Sequence, residues 1–248
     1  RQKKVIKNNI LKVFEKYSNF EIEKLMNQMW SNYGLTFAEY VFLDKFRFNK
    51  FKKNHIKISG EEIINNIKKK GKPVIFISAH LGNFELMAME LEKKNINLAT
   101  IYRPLNNYFL NPFMVYLRKK YICRKQIKKG LVGTRDTINY IKNNNSIALM
   151  VDQRVGESER SPFFNVPAHT TTIPAQLAIK YDLEIIPIFL ERIKNNFFYM
   201  EIQEPIKYHR SKNSEEDKKK ITHEINKIIE KMILRNPGQW IWSHSRWK

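Results

Sequence analysis

The chain has a single cysteine, Cys123, in 248 residues. That excludes a disulfide framework and any cysteine-based zinc site, and it fits a reducing compartment. Its six histidines (His55, His80, His169, His209, His223 and His244) are scattered without ligand spacing, so no metal is expected. No run of about 18 apolar residues occurs, which excludes a hydropathic spanning helix within these residues. Internal repeats, a helix-turn-helix signature, zinc-finger spacing and an aromatic RNP-like strand are also missing. Acidic residues are scarce: 24 Asp and Glu stand against 45 Lys and Arg, a formal net charge of +21. Such a charge calls for an anionic partner. Nucleic acid, an anionic membrane surface and an acidic carrier protein all satisfy it. The excess is largely lysine, with much asparagine and isoleucine, a bias that an AT-rich genome also produces. Charge alone is therefore not read as DNA binding.

What is present is enough apolar material, 42% of residues, for a sizeable core in one α/β domain or two small ones. The sequence starts at Arg1 rather than methionine, and its basic start Arg1-Gln-Lys-Lys suits a position just cytoplasmic of a preceding anchor. Residues 3–17 read as an amphipathic helix with Ile6, Ile10, Val13, Phe14 and Tyr17 on one face. Core packing and lying on a membrane both suit that face. Residues 21–51 are dense in large apolar groups and end in Lys45, Arg47, Lys50, Lys52 and Lys53; most of the aromatics are expected in the core, and a subset beside these cations suits a lipid-facing or acyl-chain surface. The expected organisation is one domain, 1–248, with a helical membrane-associating part (1–55) and an α/β core (56–248).

From residue 73 strands and helices alternate. Strands are expected at 73–79, 97–102, 146–151, 184–191 and 197–203, and helices at 83–95, 108–121, 134–143, 173–181 and 215–235. This alternation predicts a mixed, mostly parallel sheet flanked by helices, with ligands beyond the carboxyl ends of its strands.

The segment Pro73-Val-Ile-Phe-Ile-Ser-Ala-His80-Leu-Gly-Asn-Phe-Glu85 ends an apolar strand in a histidine. A glutamate follows five residues later. In one regular helix these side chains diverge. They meet if His80 lies in the turn, Gly82 allows the bend and Glu85 opens the next helix. A neutral imidazole oriented by a carboxylate can take a proton from a hydroxyl. Alone, an H-x4-E spacing is common and more often structural.

Further segments strengthen it. Arg103 and Asp152 also fall just after strands, so three strand ends converge. Arg103 suits two-point binding of a phosphate or carboxylate, or simply a surface turn. Gly133-Thr134-Arg135-Asp136 opens a helix, a setting that favours anions or a plain Thr134 cap. Asp152-Gln153-Arg154 ends an apolar strand. Ser161–Thr172 reads as a loop with consecutive hydroxyls before a helix, where capping is the plain explanation.

Together these residues resemble the late acyltransferases of lipid A biosynthesis, the lauroyl/myristoyl transferase family within the H-x4-D/E glycerolipid acyltransferases. The likeness runs through 80–85, Tyr102-Arg103-Pro104, Asp152-Gln153, Pro162-Phe163-Phe164 and Thr170-Thr171-Thr172. It ends in the tail Asn236-Pro-Gly-Gln-Trp-Ile-Trp-Ser-His-Ser-Arg-Trp-Lys248, in the family's order. Two departures are Gly238, where the family often has glutamate, and Ser245, where it often has arginine.

The resemblance implies transfer of a fatty acyl group from an acyl-carrier-protein or acyl-CoA thioester to a hydroxyl of a lipid A precursor of the Kdo-lipid IVA type. It places this at the cytoplasmic face of a Gram-negative inner membrane, with acyl carrier protein, an anionic glycolipid and the membrane surface as partners. Neither nucleic acid nor a cofactor is implied. His80 is then the general base and Glu85 its orienting partner, with Asn83 positioning the acceptor or the thioester oxygen. Arg103, Arg135 and Arg154 contact phosphate or phosphopantetheine, Asp152 orienting one of them, and Thr170 and Thr171 donate hydrogen bonds at the pocket. The alternatives are an acyltransferase of another glycolipid or a lysophospholipid, and a non-enzymatic basic nucleic-acid-binding protein.

Overall fold

The structure, a computed structural model, describes residues 2–154, 158–194 and 197–248. The strands are β1 (Ile56–Ser59), β2 (Ile75–Ser78), β3 (Leu98–Tyr102), β4 (Lys125–Lys128), β5 (Ser146–Met150), β6 (Glu159–Phe163), β7 (Val166–Thr170), β8 (Ile185–Lys194) and β9 (Phe197–Ile202). Seven of them form one sheet in the order β1-β9-β8-β2-β5-β3-β4. Strands β8, β2, β5, β3 and β4 run parallel, while β9 pairs antiparallel with β8 and β1 runs alongside β9. The expected mixed, mostly parallel sheet is what forms. Its central strands are short and apolar, and β2 is buried along its whole length, as strands covered on both faces must be.

The helices are α1 (Gln2–Val13), α2 (Asn19–Ala38), α3 (Leu43–Arg47), α4 (Glu61–Lys70), α5 (Glu85–Lys93), α6 (Leu110–Leu117), α7 (Leu131–Lys142), α8 (Ile173–Tyr181) and α9 (Ser214–Arg235). Alternation along each strand sends side chains to opposite faces. Ile75 and Ile77 of β2 join a core with α1, α2, α8, α9 and the C-terminal tail. Phe76 joins the other core, which includes Leu43 and Phe46 of α3 and Ile63, Ile64 and Ile67 of α4.

The apolar face of the first helix is core. Ile6 and Ile10 are fully buried, and Val13, Phe14 and Tyr17 pack against the same cluster. The membrane-lying alternative for residues 3–17 is thereby set aside. Residues 21–51 divide instead: Leu25, Met26, Met29 and Phe46 are buried, while Trp30, Phe37, Val41, Phe42 and Phe48 are exposed.

Several elements differ from expectation for physical reasons. Strands β1 and β4 lie at the two sheet edges and read Ile-Lys-Ile-Ser and Lys-Gln-Ile-Lys. Lysine blunts an exposed edge but hides the strand pattern. Ser161–Thr172 is a hairpin, not a loop. Phe163 pairs with Val166 across a two-residue turn in which Phe164 and Asn165 both have φ near +55° (50° and 58°). That is the backbone of a tight hairpin turn, usually marked by Asn-Gly. Here Pro162 faces Pro167 in the ladder, and two prolines mask the strands. The helix expected at 134–143 starts earlier, at Leu131, and Gly133 lies in its first turn, where a Cβ would meet the Lys128 carbonyl oxygen at 1.7 Å. Thr134 is not its cap; its hydroxyl donates back to the Gly130 carbonyl.

Candidate active site

His80 follows β2 and Asp152 follows β5. These strands are parallel neighbours, and the register that pairs Ser78 with Met150 continues two residues to His80 and Asp152. The Asp152 carboxylate takes the His80 ring through Nδ1 at 2.7 Å and the His80 backbone N–H at 3.0 Å. The Trp240 indole N–H donates to the same carboxylate at 2.8 Å. Asp152 is 1% exposed. Burial opposes its ionisation, but the His80 charge, the two bonds from His80 and the Trp240 bond outweigh that and hold its pKa at about 2. An ionised Asp152 accepts a proton-bearing Nδ1, which leaves Nε2 as the nitrogen with a lone pair. The ring also packs edge-on against Phe84.

The carboxylate that meets the His80 ring is therefore not Glu85. Its Oε1 accepts from the Tyr40 hydroxyl and from Arg118, at 3.0 Å to Nε and 2.5 Å to Nη2. The turn aims Glu85 at Tyr40, two residues after α2, and at Arg118, the residue after α6, while the strand register delivers Asp152 to His80. Burial and the adjacent Glu85 charge push the Tyr40 hydroxyl well above the ordinary tyrosine range. Burial works against the Arg118 cation, but Glu85 and Tyr40 outweigh it and hold the guanidinium firmly protonated.

The 80–85 turn is fixed from outside. Gly82 has φ +54°, and a Cβ there would sit 3.1 Å from the Arg192 backbone nitrogen and 3.2 Å from Glu191 Cα. Its carbonyl accepts from Thr36 Oγ1 and Asn32 Nδ2, 3.0 and 3.1 Å away. Asn83 is buried: its amide donates to Glu39 at 2.8 Å and its Oδ1 accepts from the Glu85 N–H. Glu39 is paired with Arg192 through both carboxylate oxygens. Asn83 thus braces the turn through its internal contacts.

The other expected site residues fall into two groups. Thr170 and Thr171 are buried. The Thr170 hydroxyl donates to the Ala168 carbonyl and accepts from Asn226, and Thr171 Oγ1 accepts from the Ile173 N–H. Both hydroxyls are engaged within the chain, at the end of the hairpin. Arg154 is exposed and donates to the Lys248 carbonyl, a contact within the chain. Arg103 and Arg135 are exposed where the chain leaves β3 and enters α7.

The C-terminal tail supplies what the residue-by-residue reading missed. Trp240 supports Asp152. Arg246 is fully buried, donates to the Val151 carbonyl and to Asn226, and lies 3.9 Å from the Phe163 ring. His244 stands between them in the chain. Burial, helped by the cations of His80, Arg103 and Arg246, lowers its pKa against the pull of Asp152. The available signal was the density of hydrogen-bonding aromatics in residues 236–248, close after a helix and with no core pattern of their own.

A buried carboxylate–imidazole pair at the carboxyl ends of parallel strands is suited to general-base chemistry of the kind used in group transfer or hydrolysis. The sequence profile of bacterial lipid A biosynthesis acyltransferases matches residues 1–248. The chain belongs to that acyltransferase family. It is 25% identical over 186 residues to lipid A biosynthesis acyltransferase 2 of Shigella flexneri, covering 74% of this chain and 58% of that protein. It is 23% identical over 257 residues to the lipid A biosynthesis palmitoleoyltransferase of Escherichia coli (strain K12), covering all of this chain and 79% of that protein. The lipid A biosynthesis acyltransferase of Shigella flexneri aligns to the same extent.

Proposed function

We propose that this chain moves a fatty acyl group from a thioester, carried by acyl carrier protein or coenzyme A, to a hydroxyl of a lipid A precursor of the Kdo-lipid IVA type. The observation that carries the proposal is the His80 Nδ1–Asp152 pair, which leaves Nε2 as the base. His80 Nε2 accepts the proton of the acceptor hydroxyl as its oxygen attacks the thioester carbonyl. The tetrahedral intermediate collapses, the carbon–sulfur bond breaks, and the imidazolium returns its proton to the leaving thiolate. Ionised Asp152 stabilises the imidazolium between these steps. Glu85 acts at one remove, holding Arg118 and Tyr40 against the turn that carries His80.

A thioester is already activated, so general-base help at a weakly acidic hydroxyl is the main demand on the protein, worth about 10²–10⁴ in rate. Exposed Arg103 and Arg135 are suited to the phosphates of the acceptor or of phosphopantetheine. The excess of cations suits an acidic carrier, an anionic glycolipid and the cytoplasmic face of an inner membrane. The test is an acyl-transfer assay of the purified protein with several acyl-carrier-protein and acyl-CoA donors against lipid A precursors, glycerolipids and lysophospholipids. Transfer to the lipid A precursor at a rate well above the others supports the reading. Preference for a glycerolipid would replace the acceptor, and no transfer from any thioester would overturn it.

A further inference from the structure

Strands β3 and β4 are parallel neighbours with Tyr102 paired to Lys128, and the Lys129 N–H continues the ladder to the Tyr102 carbonyl. The two segments that follow them leave the sheet side by side, on the edge where His80 and Asp152 lie. Both carry large apolar side chains in the open. Phe109 is 95% exposed, Tyr108 90%, Leu131 89% and Val132 75%. The first pair is held in a defined turn: the Asn107 side chain accepts from the Phe109 and Leu110 N–H groups, and Asn111 accepts from the Leu105 N–H. The second pair opens α7, where Gly133 seats the helix against the end of β4. Large apolar side chains held outward together by an ordered turn mark a candidate interaction surface.

The surrounding charge identifies that partner. Residues 103–135 contain nine Arg and Lys and no Asp or Glu. Lys120 lies over the rings of Tyr116 and Tyr121 at 5.4 and 5.1 Å. Exposed leucine and valine offer a nucleic acid neither a stacking face nor a hydrogen bond, and a segment with this excess of cations, of which Arg118 and Arg124 pair with Glu85 and Glu92, would repel a second copy of itself. Apolar tips within a belt of cations match an anionic bilayer, where insertion and electrostatic attraction act together.

We infer that the tips of the β3–α6 and β4–α7 connections, Tyr108-Phe109 and Leu131-Val132, insert into an anionic phospholipid surface and hold the rim carrying His80 against it. This deepens the proposed transfer to a lipid, which a rim in contact with the bilayer receives without extraction into water. It adds a membrane contact beyond the first 51 residues, where the α1 face is core but Trp30, Phe37, Val41, Phe42 and Phe48 stay exposed.

The experiment is flotation of the full chain with vesicles of phosphatidylglycerol and phosphatidylethanolamine, and with phosphatidylcholine vesicles. The F109E/L131E double variant is compared with wild type and with H80A. Fully exposed positions leave the thermal midpoint unchanged, which unfolding curves check. The expected result is an at least tenfold loss of partitioning to anionic vesicles, since two apolar side chains that enter the bilayer are replaced by anions. H80A floats as wild type does, whatever the fate of the catalytic proposal, so the two readings fail separately. Flotation of F109E/L131E equal to wild type overturns the inference. So does unchanged flotation accompanied by a shift from dimer to monomer in sedimentation, which would make the patch a self-interface.

Discussion

Trp240 donates its indole N–H to Asp152 Oδ2 at 2.8 Å, the oxygen that also accepts the His80 backbone N–H. The carboxylate is therefore fixed on one side by the tail, and its other oxygen aims at the His80 ring. In D152N the amide oxygen replaces Oδ2 under the two N–H donors, and the amide nitrogen faces His80 Nδ1. The ring must then accept at Nδ1 and carry its proton on Nε2, the wrong tautomer for a base. We expect turnover to fall about 10²–10⁴-fold with KM near wild type, as for H80A. E85Q leaves the Asp152–His80 pair intact and is expected to lose less. Steady-state kinetics of the three variants check this; E85Q falling as far as H80A with D152N near wild type would restore Glu85 as the orienting group.

Acid sensitivity follows from the same carboxylate. The folded pKa of Asp152 is depressed from 3.8 to about 2. Its contribution to stability is complete above the unfolded value and lost as pH falls through the folded one. That is a loss of about 2 kcal/mol between pH 5 and pH 2. Urea midpoints across this range should decline less steeply in D152N than in wild type. Parallel declines would mean that Asp152 titrates normally.

Much of this arrangement could be read from residues before any coordinates. The apolar run 73–79 and the run ending at Met150 announced buried parallel strands, and polar groups just beyond such strands are placed at a site by topology alone. Which carboxylate meets His80 could not be read this way. Glu85 is five residues away in sequence, Asp152 is 72, and only the pairing of Ser78 with Met150 brings the latter alongside. The tail was legible as a motif and not as a support, because its contacts to Asp152, Val151 and Phe163 are all long-range. The hairpin at 159–170 escaped because its turn carries Phe164-Asn165 in place of a glycine pair.

The brace beneath the catalytic turn is a buried ion pair. Glu39 and Arg192 are joined by two hydrogen bonds, and Asn83 donates to the same carboxylate. Removing one partner leaves an uncompensated charge in the interior. R192M is therefore expected to lose about 3–5 kcal/mol. R192M/E39M together should recover part of it, since both charges are then gone. A thermal or urea double-mutant cycle reads the difference; additive losses would show that the two residues do not act as a pair.

Among the described residues no group of three or more histidine, cysteine or carboxylate side chains is arranged to hold a metal ion. EDTA should leave acyl transfer unchanged at constant lipid dispersion. Loss of activity restored by a divalent ion would place a metal in the reaction.

The two ends of the described chain meet at Asn9. Its amide donates to the Trp242 carbonyl at 2.7 Å and to the His244 carbonyl at 2.8 Å, from a fully engaged position on α1. These bonds hold the stretch between Trp240, which supports Asp152, and Arg246, which donates to the Val151 carbonyl. N9A leaves the enclosed Trp242 carbonyl without its donor and the His244 carbonyl with only the Arg246 N–H, at a cost of about 1–3 kcal/mol. The consequence should reach the site, because a looser tail frees the Asp152 carboxylate to turn. Hydrogen exchange in residues 240–248 is expected to rise more than in β2 and β5, and turnover to fall while substrate affinity holds. N9D, which keeps the size but places a charge against two carbonyls, should be worse than N9A on both measures. Equal exchange rates throughout the chain in N9A would show that α1 stabilises the fold as a whole and has no particular hold on the tail.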